Sequence, residues 1–131
     1  MSLRGAQNGL MEATTRDSWH CEALPTLRAD LGYTRAFDRL EAERAKLGLI
    51  PEAMEDKWFI LFDDGWLLFY RSWTGFCIFG LELVATREGF RVGASWVSRD
   101  PEQYGGDSVD EERQLVADLI DRLVSDEGES R

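Results

Sequence analysis

One stretch, Lys57–Ile78, constrains the fold more than any other part of the chain. It reads KWFILFDDGWLLFYRSWTGFCI. Asp64-Gly65 near its centre is a turn signal, because a two-residue hairpin loop of this kind needs positive φ at both positions. The flanking residues are aromatic and aliphatic, types that fit a pleated, half-buried surface. With that loop Asp63 faces Trp66, and paired residue numbers sum to 129. Thr74-Gly75 closes a second turn, setting Trp73 opposite Phe76 with the sum 149. Glu88-Gly89 closes a third, folding Leu81–Arg87 onto Phe90–Val97 with the sum 177. Three successive hairpins predict a four-stranded antiparallel meander.

Carried through all three turns, this register collects one apolar face: Phe59, Leu61, Trp66, Leu68, Tyr70, Cys77, Phe79, Leu81, Leu83, Phe90, Val92 and Trp96. Side chains alternate along a strand, so such a face is the expected core. The other face is polar or small on the last two strands. On the first two it is greasy, with Trp58, Ile60, Phe62, Leu67, Phe69, Trp73 and Phe76 around Arg71. A sheet face carrying this much apolar surface needs a cover. Three covers are open: the N-terminal helices, a second copy in a homodimer, or a cleft that takes a ligand or a partner chain.

Helical signals flank the strands. Leu24, Leu27 and Leu31, with Pro25 in a first turn and Gly32 as a stop, predict a short helix. Thr34 is positioned to cap a second, running to about Leu47, with Phe37, Leu40 and Leu47 on one stripe and Gly48 and Pro51 ending it. After the loop DPEQYGGD, Ser108 and Glu111 make a capping-box pattern. Leu115, Val116, Leu119, Ile120 and Leu123 then form an amphipathic stripe. The expected fold class is α+β: a four-stranded antiparallel β-meander packed on its first face against helices, including an amphipathic C-terminal helix. The expected organisation is a flexible leader over 1–16, a single domain over 17–126 and a frayed tail over 127–131.

Charge narrows the range of partners. The formal charge of the 131 residues is −10. Basic and acidic residues balance in 1–50 (7 and 7), differ slightly in 51–100 (5 and 8) and diverge in 101–131 (3 and 10). Nucleic acid and anionic membrane surfaces both require clustered Lys and Arg, so neither is an expected partner. The chain lacks a run long enough to span a membrane and opens with a polar stretch, so a cytoplasmic protein with Cys21 and Cys77 reduced is expected.

Four groups of residues could carry chemistry. Arg71 stands between Phe69 and Trp73, followed by the hydroxyls of Ser72 and Thr74, and Trp58, Glu82 and Arg91 share its face in the expected register. A guanidinium beside indoles can present its donor fork to a carboxylate or phosphate. The plainer alternative is a packed aromatic stripe with Arg71 paired to an acid. The second group, His20 with Cys21, lacks the further ligands a metal centre needs, and adjacent side chains rarely orient onto each other. Asp63 and Asp64 are accounted for by the turn. Gly105-Gly106-Asp107-Ser108 sits among acids that would repel a phosphate, so capping is its expected role. No metal and no cofactor is implied.

The segment Trp58-Phe59-Ile60, Asp64-Gly65-Trp66-Leu67, Phe69-Tyr70-Arg71-Ser72-Trp73-Thr74-Gly75 and Ile78 resembles the core of a family of small uncharacterised bacterial proteins. Their pattern is W-F-I, D-G-W-L, F-x-R-S-W-T-G, then I, and it covers about a sixth of this chain. The resemblance carries an association with ADP-ribose metabolism, which implies a ligand site and transfers no catalytic residue. Tyr70 stands where His is expected in similar sequences, so a proton-carrying role there is not implied.

The leading expectation is a non-catalytic binding or interaction module. Its site would be Arg71, Trp73, Trp58, Ser72, Thr74, Glu82 and Arg91, and its target a small anionic ligand or a protein partner. The alternative is an enzyme acting on a nucleotide- or ADP-ribose-like substrate. A ligand or enzyme site requires a closed concave pocket with Arg71 unpaired and facing it, whereas an interaction module requires a flat or grooved apolar patch.

Overall fold

The computed structural model describes residues 13–125. They form an α+β fold with a six-stranded antiparallel sheet and two helices. The strands are β1 (Arg28–Asp30), β2 (Ala36–Asp38), β3 (Trp58–Asp63), β4 (Trp66–Arg71), β5 (Cys77–Ala85) and β6 (Gly89–Ser98). The helices are α1 (Arg39–Leu47) and α2 (Val109–Val124). The sheet order is β1-β6-β5-β4-β3, and β2 also pairs with β6.

The meander of β3 to β6 is present, within a sheet of six strands rather than four. Its first hairpin has the expected register, with Trp58 opposite Arg71 and Asp63 opposite Trp66. Asp64 (φ 53°) and Gly65 (φ 85°) supply the two positive φ angles of the turn. The second turn is wider than two residues, and the third is displaced by one residue, with Thr86 N–H bonded to the Gly89 carbonyl (2.8 Å) across Arg87-Glu88. Arg71 N–H donates to the Phe76 carbonyl (2.9 Å), so residues 72–75 form the loop and Tyr70 faces Cys77. A bulge then intervenes and Phe69 faces Phe79. A second irregularity lies between Leu81 and Leu83, after which Ala85 faces Phe90. These one-residue slips overturn the expected single core face, because each slip exchanges the two faces of a strand.

The larger core therefore lies on the side expected to need a cover. Trp58, Ile60, Leu67 and Phe69 join Phe79, Leu81, Leu83, Val92 and Val97 there. The helices close it with Ala42, Ala45, Val116, Leu119, Ile120 and Val124. Phe59, Leu61, Leu68, Tyr70, Cys77 and Trp96 form a smaller cluster on the opposite side. It is covered by the segment around Trp19 and Cys21, with the Trp19 indole stacked on Phe59 at 6.3 Å.

Two helix expectations are corrected. The segment expected as a helix around Leu24–Leu31 contains β1, and with β2 it runs along β6 as an interrupted edge strand. Leu31 N–H and Tyr33 N–H bond the backbone oxygen and the side-chain hydroxyl of Ser95. Thr34 caps no helix; Asp38 caps α1, forming a reciprocal capping box with Glu41, and buried Ala42 and Ala45 replace the expected stripe through Leu40. Gly48 ends α1 as expected. In α2 the N-cap is Ser108, whose hydroxyl accepts from Glu111 N–H. Its apolar stripe is buried at Val116, Leu119 and Ile120, whereas Leu115 stays half-exposed.

The described part of the expected leader is fastened to the sheet. Thr14 is buried and bonds the carbonyls of Leu47 and Ile60, while Arg16 bonds Asp63 and the Tyr70 hydroxyl. The rest of the leader, and the tail over 127–131, lie outside the described residues. Among the described residues no helix is long and apolar enough to cross a membrane.

Candidate functional site

Arg71 ends β4, directly opposite Trp58 at the start of β3. Its guanidinium lies 5.4 Å from the Trp58 ring centroid and is exposed. The loop that follows is held from three sides. Ser72 N–H donates to the Lys57 carbonyl (2.8 Å), Ser72 Oγ donates to the Asp56 carbonyl (2.8 Å), and Trp19 Nε1 donates to the Ser72 carbonyl (2.9 Å). Ser72 is thus a structural fastener with its hydroxyl engaged. Thr74 Oγ1 accepts from Phe76 N–H across the turn. Trp73, 74 % exposed, projects from the loop tip, and its Nε1 donates to the Met54 carbonyl (3.2 Å).

These residues make one wall of a concavity of about 380 Å³ lined by Met54, Lys57, Arg71, Trp73, Gln103 and Tyr104, with Ser72, Thr74 and Gly105. The other wall comes from the loop after β6. Tyr104 is fixed at both ends of its ring. Its hydroxyl donates to Glu112 Oε2 (2.9 Å), and its ring meets Phe79 edge-on at 6.3 Å. Gly106 leaves the space the phenol occupies, because a Cβ there would collide with the Tyr104 ring and hydroxyl. Gly106 therefore seats an aromatic wall on the way into α2.

Behind Tyr104 stands an ion pair. Arg99 reaches both carboxylate oxygens of Glu112 (2.6 and 2.9 Å) and also the Gly106 carbonyl (3.1 Å). Glu112 is only 4 % exposed. Its burial works against the charged form, but the bonds from Arg99 and Tyr104 and the Arg99 charge hold its carboxyl below the usual range. Burial, then the bond to Glu112 and its charge, push the Tyr104 phenol up to about 12.

The chemistry of the pocket follows from its charges. Among the described residues Lys57 and Arg71 are its two ionic side chains, and no carboxylate lines it. Among the described residues neither cation is in an ion pair. Gln103 Oε1 is buried without a hydrogen-bond partner.

The other sequence candidates fall elsewhere. Trp58 is buried at 8 % and packs on Phe79, so it supports Arg71 from beneath rather than lining the pocket. Glu82 faces Trp66 at the far end of the β4–β5 pair, where Oε1 accepts from Ala94 N–H. Arg91 faces Val84 near the β5–β6 turn. The register slips place both on the opposite face from Trp58, so the structure does not bring them to Arg71. His20 Nε2 bonds Glu22 (2.6 Å) at the surface. Asp63 pairs with Arg16, and Asp64 serves the turn. Both cysteines are free thiols, and Cys77 is raised above its usual pKa range by burial. Among the described residues no group of three or more His, Cys, Asp or Glu could hold a metal ion.

The sequence reading missed Lys57, Gln103 and Tyr104. Lys57 opens the Lys57–Ile78 stretch, and its charge beside Trp58 is a usable signal. Gln103 and Tyr104 come from a loop about 30 residues away, and no local pattern ties that loop to Arg71. No family model, no curated protein and no solved structure matches this chain.

Proposed function

We propose that the chain is a non-catalytic binding module whose pocket beside the β4–β5 loop takes a small anion with a flat apolar body. One observation carries this reading. In a chain of net charge −10, the described residues line a concavity with two unpaired cations and no carboxylate. Both cations are exposed and meet no counter-charge in the pocket, and an anionic ligand is the partner that would neutralise them. About 380 Å³ falls in the range of small-molecule sites. The exposed Trp73 indole and the Tyr104 ring offer apolar surface to the rest of the ligand. Arg71 contributes a planar donor fork and Lys57 a mobile point charge, the pair suited to a carboxylate or phosphate. An acidic side chain of a protein partner, entering the same pocket, is the other form of this reading.

The enzyme alternative, with a nucleotide- or ADP-ribose-like substrate, has less support. It needs a base or nucleophile within reach of the bound group. The Ser72 hydroxyl is engaged, the Tyr104 phenol stays protonated and bonded to Glu112, and Glu82 is remote.

The test is a thermal-shift screen of inorganic phosphate, sugar phosphates and nucleotides on wild type, Arg71→Ala and Lys57→Ala. A ligand at a hundred times its Kd stabilises by about 2.7 kcal/mol through mass action. The expected result is a rise in midpoint for at least one phosphate compound, lost in both variants. An equal rise in Arg71→Ala, or none with any compound, counts against the proposal.

A further inference from the structure

A second concavity, of about 530 Å³, lies between α2 and the segment Leu49–Trp58. Leu49, Trp58 and Leu119 form its apolar base. Ile50 (42 % exposed) and Leu115 (37 %) stand open in its lining. Leu115 belongs by spacing to the apolar stripe of α2, yet the fold covers the stripe only from Val116 onward. Its lining carries four carboxylates, Glu52, Glu55, Asp56 and Asp118, against two cations, Lys57 and Arg122. Asp56 is committed to the backbone N–H groups of Glu52 and Ala53, and Asp118 accepts from Gln114. Among the described residues Glu52, Glu55 and Asp118 form no ion pair.

We propose that this groove docks a basic amphipathic segment of a partner protein. The apolar strip of Ile50, Leu115 and Leu119 receives the segment's aliphatic or aromatic anchors. Glu52, Glu55 and Asp118 meet its Lys and Arg. An apolar strip between carboxylates selects a ligand that is both greasy and cationic, and it repels an acidic one. The same charge argument disfavours a second copy of this chain, because two bodies of net charge −10 repel. The groove is separate from the anion pocket except for Lys57, which lines both.

The probe is a fluorescein-labelled peptide with Leu and Lys placed at helical spacing, read by fluorescence anisotropy. Its counterpart carries Glu at every Lys. All substitutions are at solvent-accessible positions, and circular dichroism verifies folding. The Lys peptide should bind the wild type and the Glu peptide should not. Ile50→Ser with Leu115→Ser, and separately Glu52→Lys with Glu55→Lys, should each weaken binding about tenfold or more, as expected for anchors and facing charges. Glu43→Lys with Glu88→Lys changes the net charge equally outside the groove and should weaken it far less. Three results overturn the proposal: equal weakening by that control pair, equal binding of the Glu peptide, or a dimer in sedimentation that Leu115→Ser dissociates. The first would leave only long-range charge attraction, the second only apolar adhesion, and the third would assign the groove to a second copy.

Discussion

Removing Arg99 isolates the electrostatic support of the pocket wall. In Arg99→Ala the Glu112 carboxylate, 4 % exposed, keeps one donor, the Tyr104 hydroxyl, and loses two guanidinium bonds of 2.6 and 2.9 Å. Breaking a buried pair from one side costs about 3–5 kcal/mol when the stranded charge stays dry. The Arg99 side chain is 23 % exposed, so water can enter the vacated space, and about 2–3 kcal/mol is the expected loss near neutral pH. In the wild type the folded carboxyl sits below its unfolded range, about 4.3. Its contribution is therefore present above that range and disappears as pH falls through the lower folded value. Without Arg99 the burial effect dominates and the carboxyl is raised instead. The variant's deficit is then largest at neutral pH and shrinks towards about pH 4, as the stranded group takes up a proton. Urea unfolding followed by tryptophan fluorescence at both ends of that window measures this, with the slope against urea unchanged if the folded core is intact. A deficit below about 0.5 kcal/mol, or one of equal size at both pH values, would refute the account.

Three further outcomes follow from the packing. Phe69→Ala empties a fully buried site in the helix-covered core and should cost about 3–5 kcal/mol in denaturant unfolding, whereas exposed Trp73→Ala should stay within about 1 kcal/mol while abolishing any ligand-induced thermal shift. Gly106→Val forces Tyr104 from its seat and should cost about 1–3 kcal/mol in the same assay, with weaker anion binding measured by titration calorimetry. Burial raises both thiols out of the reactive range, so iodoacetamide followed by mass spectrometry should label Cys21 slowly near neutral pH and Cys77 only on unfolding.

What could be read from the chain was set by local chemistry. Asp64-Gly65 permits the positive φ pair of a two-residue hairpin, and the register of β3 and β4 follows from that loop alone. Ser108 and the stripe through Val116, Leu119 and Ile120 likewise announce α2, because capping and helical spacing act within a few residues. The prominence of Arg71 and Trp73 was legible for the same reason: both stand in one short segment. The remaining hairpins were not decided locally. Thr74-Gly75 and Glu88-Gly89 are compatible with several loop placements, and the sheet settled on a wider loop at the first, a loop displaced by one residue at the second, and bulges near Ile78 and Glu82. The slips carried Phe79, Leu81, Leu83 and Val92 to the helix-covered face and took Glu82 and Arg91 from the face of Arg71, while Trp96 stayed with Phe59 and Tyr70. The edge strand along β6 and the second pocket wall also depended on tertiary structure. Arg28–Asp30 has no partner until β6 exists, and Tyr104 reaches the pocket only because Glu112 on α2 holds its hydroxyl there. The anion pocket is thus half a property of the Arg71–Gly75 loop and half a property of the packing that carries Gln103 and Tyr104 to it.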